Sequence, residues 1–319
     1  MAQQRFSEMS RTEIVIPAST SNLGASFDTC GLALSLYLKV TVAETAEHFE
    51  IAASGEGAAS LPLDESNLIV RVARFVAEQR GRNILGARLS IENQIPLARG
   101  LGSSSAAIIA GISLYETLSG EQLSEADVFR FALGFEEHPD NLAPSLLGGL
   151  VVACVIDRPD GGRTVAAVKR GWPQALKVIA VIPDYKLETA RMRAVLPANV
   201  PRRDAVFNVQ RAALLQAAIA EGRFELISEA LRDRLHQPYR APHGRGLTEI
   251  LTMNEEVEQF PGLIGVALSG AGPTIIAFAV HNSTAIAEEM KARLVRSGVA
   301  ARGIELEVDN KGRSVTNGG

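Results

Sequence analysis

The chain has 319 residues, enough for two domains or one large one, and its 46% hydrophobic and 21% charged residues are ordinary for a soluble globular protein. A formal charge of −4 carries no basic excess, which argues against nucleic acid as a main partner, and the longest apolar run, residues 146–156, is too short to cross a bilayer. Cys30 and Cys154 lie far apart with no Cys-x-x-Cys spacing and read as reduced core or near-site thiols; residues 1–13 lack the apolar segment of a secretory signal, so the expected location is cytoplasmic.

Residues 1–10 read as a loose polar lead, and the alternation of residues 12–17 predicts a first strand that ends at Pro17. Pro17-Ala-Ser-Thr-Ser-Asn-Leu-Gly-Ala-Ser-Phe-Asp28 follows as a loop of small polar residues and glycine, a composition in which ligand groups tend to sit. Strands are expected over 34–44 and 49–53, then a helix over 67–79 on the spacing of Leu68, Val72, Phe75 and Val76. A strand over 87–92 enters Pro96-Leu-Ala-Arg-Gly-Leu-Gly-Ser-Ser-Ser-Ala-Ala107, and a run with helical spacing leaves it. Next come a helix over 124–137 capped by Ser124, a short helical piece opened by Asp140 and Asn141 and closed at Gly148-Gly149, and a hairpin of strands over 150–156 and 164–169. Gly171-Trp-Pro173 is the candidate domain boundary. Beyond it the pattern predicts a strand over 177–183, helices around 204–221, 224–235 and 246–259, strands over 263–268 and 274–280, a helix over 283–296 and a strand over 301–308. Residues 309–319 are polar and glycine-rich and predict a disordered tail. Strands and helices interleave without strict βαβ alternation, an α+β pattern.

The stretch from Pro96 to Ala107 is the chemical centre of this reading. Glycines at 100 and 102 let a backbone approach a ligand closely, a serine at 103 or 104 can cap the helix, and the free N–H groups of that helix favour an anion. No Gly-Lys-Ser/Thr closes the loop, so it is not a Walker loop, and serine replaces the third glycine of the dinucleotide fingerprint. Leu268-Ser-Gly-Ala-Gly-Pro-Thr274 is a second glycine-rich site, which alone reads as a tight turn between strands.

The first of these stretches resembles the Pro-x-x-x-Gly-Leu-Gly-Ser-Ser-x-Ala loop of the GHMP small-molecule kinases, and the segments 17–28 and 268–274 resemble that superfamily's first and third motifs, in the expected order. Within it, Thr20-Ser-Asn-Leu-Gly-Ala-Ser-Phe-Asp28, Glu136-Glu-His-Pro-Asp-Asn-Leu-Ala-Pro144, Thr189-Ala-Arg-Met-Arg-Ala-Val-Leu-Pro197 and Gln237-Pro-Tyr-Arg240 resemble segments of the homoserine kinases; Glu137 departs from a common glycine. The resemblance implies a two-domain fold, a ribosomal-S5-like domain over 1–172 and a ferredoxin-like domain over 173–308, acting on L-homoserine with ATP and Mg²⁺ in threonine biosynthesis, and a homodimer. It places the nucleotide on Pro96, Gly100, Leu101, Gly102, Ser103, Ser104, Ser105, Ala106, Gly270 and Gly272, and the metal on Ser104 and Glu136.

A zwitterionic amino acid with a terminal hydroxyl makes sense of the remaining residues. Its carboxylate suits an arginine fork, from Arg193 (or Arg191) and Arg240; its ammonium suits Asp28 or Asp140. Asn22 and Asn141 offer mixed donor and acceptor edges, and Thr189 opens its segment. Asp140, Asn141 and His138 are the candidate catalytic residues, with Asp140 and His138 as alternative bases. L-threonine or mevalonate as substrate, or a non-catalytic nucleotide sensor, stand as alternatives; a dehydrogenase does not fit the missing third glycine.

Overall fold

The computed structural model describes residues 11–159 and 161–317, so the lead expected over 1–10 lies outside the described residues. Strand β1 (Thr12–Ser21) does not stop at Pro17: the register against β2 (Cys30–Ala46) shifts between Pro17 and Ala18, and this bulge keeps the proline within the ladder. The first five residues of the expected loop, 17–21, are therefore strand, and the turn itself begins beyond Ser21. β3 (Glu50–Gly55) is followed by α1 (Leu68–Gln79), whose N-terminus is capped by the Asn67 side chain accepting from Ile69 N at 3.0 Å, and by β4 (Gly86–Asn93). α2 (Ser103–Ser119) leaves the glycine loop.

Ser124 caps α3 (Glu125–Ala132), but that helix ends five residues before the expected Glu137. At Gly134 the backbone tightens into three-residue turns, Gly134 N to Phe131 O and Phe135 N to Ala132 O, and Phe135 packs edge-on against Phe75. α4 (Pro139–Leu147) starts on a proline at its first position, and β5 (Leu150–Asp157) and β6 (Arg163–Arg170) form the expected hairpin.

The second half holds β7 (Lys177–Pro183), α5 (Thr189–Ala194), α6 (Arg202–Glu221), α7 (Ile227–Ala230), α8 (Gln237–Arg240), α9 (Leu247–Leu251), β8 (Leu263–Leu268), β9 (Ile275–Ala279), α10 (Ser283–Arg296), β10 (Ala301–Leu306) and β11 (Ser314–Asn317). Two expected long helices break up. Asp233 accepts from the backbone N–H groups of Leu235, His236 and Gln237, which ends the α7 segment and starts α8. Asn254 bonds both the N–H and the carbonyl of Val266, so residues 252–259 run along β8 instead of prolonging α9. The disordered tail is also corrected. Asp309 accepts from Lys311 N and Gly312 N in a turn, and β11 then pairs with β1, Thr12 opposite Asn317.

One sheet has seven strands, ordered β11-β1-β2-β4-β3 with β5 also on β2 and β6 beyond it; the other has four, β10-β7-β9-β8. The chain passes from the first to the second between Arg170 and Lys177. Strands β7 and β9 bury both faces. Val178, Ala180, Ile182, Ile276 and Phe278 join a core shared with Ile16, Leu32 and Leu101, while Ile179, Val181, Ile275 and Ala277 turn to a second core with Leu247 and Met290. The larger core thus spans both sheets, and the glycine segments meet at its rim. Gly270 N donates to Ser21 O, Thr274 N to Arg99 O, Leu187 N to Ala98 O, and the Ser269 hydroxyl to Gly100 O at 2.6 Å.

Gly100 has φ +78°, and a Cβ there would lie 2.2 Å from Ser269 O; Gly81, at the end of α1, has φ +62° with nothing within 4 Å. Gly81→Ala is expected to cost about 1 kcal/mol, the left-handed strain alone. Gly100→Ala is expected to cost about 2–3 kcal/mol, because the loop and the turn must also move apart. Urea midpoints of the two variants check this, and equal losses would mean that the contact carries no strain.

Candidate active site

The loop after β4 is set by Asn93, whose Oδ1 accepts from Ile95 N and whose Nδ2 donates to Ile95 O and Glu56 O. Gly102, at φ +70°, is the N-cap of α2, and no side chain caps the helix. The expected serine cap is therefore replaced by a glycine, because a Cβ at 102 would sit 2.1 Å from the Ser19 hydroxyl. The consequence is chemical: with no side-chain cap, the first-turn N–H groups of α2 face the cleft as donors for an anion.

Almost every residue expected from the sequence lines this one cleft. Pro96, Gly100, Leu101, Gly102, Ser103, Ser104 and Ser105 form its loop wall, with Gly270 across from them. Asn22, Asp140 and Asn141 lie at its floor, and Asp28, Glu136, His138, Thr189, Arg193 and Arg240 close the other side. Two do not line it. Ala106 is buried inside α2, and Gly272 backs Gly100. Of the two alternative arginines, Arg193 lines the cleft and Arg191 is exposed outside it. Of the two thiols, Cys30 is buried with its pKa pushed up to about 12 by burial, whereas Cys154 is exposed on β5 and is neither core nor near-site.

The charges are arranged around Asp28. Asn22, itself at φ +72°, holds this turn: its Oδ1 accepts from Asp28 N at 3.0 Å and its Nδ2 donates to Gly270 O at 3.0 Å. The Asp28 carboxylate takes a two-pronged bond from Arg193, 2.8 and 3.0 Å, and lies 3.5 Å from His138 Nε2. The other ring nitrogen of His138 is 3.2 Å from Glu136, and this contact, against the cost of burial, raises the imidazole pKa. Asp140, buried in the first turn of α4, is pushed up to about 6, first by burial and then by the charge of Asp28. Asn141 donates to the Ser21 hydroxyl at 2.8 Å and accepts from Ser19 at 2.9 Å, which ties α4 to the end of β1.

Arg240 is the exceptional cation. It is 1% exposed, donates to Met192 O and Gly270 O at 3.1 Å each, and has no carboxylate within ion-pair distance among the described residues. Burial, and then the charge of Arg193, lower its pKa to about 10. Both guanidiniums lie over the Phe27 ring, Arg193 at 5.5 Å and Arg240 at 5.1 Å from its centre, and the ring stacks on buried His236, whose Nε2 is 2.8 Å from Gly24 O.

Sequence reasoning missed several parts. Ser21 lines the cleft within a motif already quoted, and Arg99 lines it from the loop. A second, apolar cavity of about 330 Å³, at the lower end of the ~300–1,000 Å³ typical of small-molecule sites, opens beside Ser103 and Ser104 and is lined by Leu38, Leu68, Ile69, Ile91 and Leu97. Its lining is scattered over several segments, each reading as ordinary core. No helix among the described residues is long and apolar enough to cross a membrane.

Comparison with known proteins bears on this geometry. The family model described as the GHMP kinases N terminal domain matches residues 67–149, and that described as GHMP kinases C terminal matches residues 215–304. A homoserine kinase of Desulfitobacterium hafniense is 40% identical over 94% of this chain and 98% of its own length; one from Moorella thermoacetica is 39% identical over 94% and 98%. The crystal structure of homoserine kinase from Cytophaga hutchinsonii superposes with a TM-score of 0.78 over 99% of this chain and all of that one, a likeness of fold at 22% identity. With both halves matched by family models and these relatives aligned over nearly their whole length, the chain belongs to the homoserine kinase family of the GHMP kinases.

Proposed function

We propose that the cleft transfers the γ-phosphoryl group of ATP to the hydroxyl of L-homoserine, giving O-phospho-L-homoserine. The observation that carries this reading is Arg240, a buried cation without a carboxylate of its own, in the cleft that also holds Asp28 and the uncapped helix end. A buried charge is costly unless paired, so the site awaits an anion. The substrate carboxylate would pair with Arg240 and Arg193, and its ammonium with Asp28. Arg193 and Asp28 pair with each other, and the zwitterion would exchange that one ion pair for two.

The triphosphate would lie along Gly100 to Ser105 and the first turn of α2, with the adenine in the apolar cavity beside Ser103 and Ser104. Glu136 and the exposed Ser104 hydroxyl are hard oxygen donors on this cleft, and two such donors suit Mg²⁺, which takes the rest of its shell from phosphate and water. When bound, the metal would neutralise phosphate charge. Asp140 would accept the hydroxyl proton: it sits at the cleft floor, its pKa near 6 leaves it ionised at neutral pH, and Asn141 with Ser21 fixes the floor around it. His138, held between Glu136 and Asp28, would orient these carboxylates. Family resemblance adds the expectations of a place in threonine biosynthesis, a homodimer, and a two-domain division near residue 172.

ADP release with L-homoserine, L-threonine, L-serine and mevalonate, each offered separately, tests the assignment; turnover confined to threonine or mevalonate would discard the substrate. Arg240→Met is expected to raise KM for homoserine about a hundredfold, the loss of a charged hydrogen-bonded pair, with KM for ATP unchanged. Asp140→Asn is expected to lower kcat by about 10²–10⁴, and wild-type kcat/KM should fall as pH drops through about 6. The stability effect has the opposite sense. The native carboxyl holds its proton to higher pH than the unfolded one, so the stability tied to that proton is present at low pH and lost as pH rises through about 6. Asp140→Asn should therefore be more stable than the wild type at pH 8, by up to about 3 kcal/mol, and no more stable near pH 3.5. Thermal melts at the two pH values read this directly.

A further inference from the structure

Arg193 stands on α5 and Arg240 on α8, and both line the cleft. They are close enough for the charge of Arg193, after burial, to lower the pKa of Arg240. Like charges repel, and a site shielded from water screens that repulsion poorly. Asp28 answers one of the two through its two-pronged bond with Arg193, whereas Arg240 has the carbonyls of Met192 and Gly270. One further contact is common to both cations, the ring of Phe27.

Phe27 is half-buried and, among the described residues, belongs to neither apolar core, so core packing does not account for it. Its ring centre is 5.5 Å from the Arg193 guanidinium and 5.1 Å from that of Arg240, within reach of a cation–π attraction. An aromatic face is negative, so one ring attracts both cations and offsets their repulsion. The ring is itself braced. It stacks on His236 at 5.2 Å with the two planes 19° apart, and His236 is buried with Nε2 2.8 Å from Gly24 O, in the same turn as Phe27. Burial lowers the His236 pKa, against the charge of nearby Asp233, so the imidazole adds no third positive charge beside the ring.

We infer that Phe27 is a positioning residue for the amino-acid substrate: its ring holds the guanidiniums of Arg193 and Arg240 together so that both can take one carboxylate. This rests on the reading of the cleft as a homoserine site. Phe27 touches the arginines and acts through them. Without the ring the two cations would spread, and binding would have to bring them back against their repulsion.

Kinetics of Phe27 variants test this. Phe27→Leu, which keeps apolar bulk, is expected to raise KM for homoserine about tenfold with KM for ATP unchanged. Phe27→Tyr, which keeps the ring, should stay within about twofold of the wild type. In an Arg240→Met background Phe27→Leu should cost only about twofold to threefold, because one of the cations it gathers is gone. Should Phe27→Leu fail to fold, Phe27→Met carries the same comparison. A residue that merely fills space in the turn would behave otherwise: KM for ATP would rise as well, the tyrosine would fare no better than the leucine, or the full tenfold cost would persist without Arg240. Any of these results, or an unchanged KM for homoserine, overturns the inference. If the wild type turned over no homoserine, the kinase reading would fail, and calorimetric titration with γ-hydroxybutyrate, a carboxylate and hydroxyl without the ammonium, would still decide the role of Phe27. Binding weakened about tenfold in Phe27→Leu supports it, and equal binding or none in the wild type overturns it.

Discussion

Three glycine-bearing segments, drawn from the beginning, middle and end of the described chain, are hydrogen-bonded to one another at a single place. Ser269 donates its hydroxyl to Gly100 O, Gly270 donates its N–H to Ser21 O, and Ser19 N donates to Leu101 O. Each of these bonds joins segments far apart in sequence, and the approach is so close that a Cβ at Gly100 or Gly102 would collide with Ser269 O or the Ser19 hydroxyl. The left-handed backbone at Gly100 and Gly102 follows from that crowding, as does the absence of a side-chain cap on α2. The anion-binding end of the helix is thus a by-product of packing: the position that would carry a capping hydroxyl is pressed against Ser19.

Polarity across the cleft follows from the same convergence. Because β1 ends at Ser21, the turn beyond it carries Asn22 and Asp28 to the side facing α5 and α8, where Arg193 and Arg240 stand. Asp140 rides on α4, which is tied to the end of β1 by the Asn141 side chain on the Ser19 and Ser21 hydroxyls. Two carboxylates held near one another cannot both ionise without cost, and it is the more buried, Asp140, whose pKa rises. Burial therefore sets Asp140 apart from the carboxylate beside it.

The residues that line the cleft were legible in the sequence through motif context. Read singly, a Gly-Leu-Gly-Ser-Ser turn or an arginine has ordinary uses, and it is the order of the contiguous segments, matching that of the GHMP kinases, that singles out the glycine loop, Asp140-Asn141, Arg193 and Arg240. Local periodicity likewise found strands β1 to β10 and the longer helices. What it missed depends on distant partners. Residues 224–235 and 246–259 have helical spacing, but Asp233 and Asn254 take up backbone groups that the helices would have used. Pro17 looked like a strand end because the bulge that accommodates it requires β2. The apolar cavity was invisible for the same reason, since Leu38, Leu68 and Ile91 become neighbours only once the sheet has formed.

The residues once expected to trail away have a role in the order of assembly. β11 covers the outer edge of β1, and Thr12 and Asn317 are hydrogen-bonded across 305 positions of sequence. A growing chain would expose the backbone donors and acceptors of β1 along that edge until residues 314–317 have been made, and an open edge is a template for pairing with other chains. The seven-stranded sheet that carries the glycine loop is therefore sealed only after every strand of the four-stranded sheet has been made, and a nascent chain halted before Ser314 would carry the cleft residues on a sheet still open at one side.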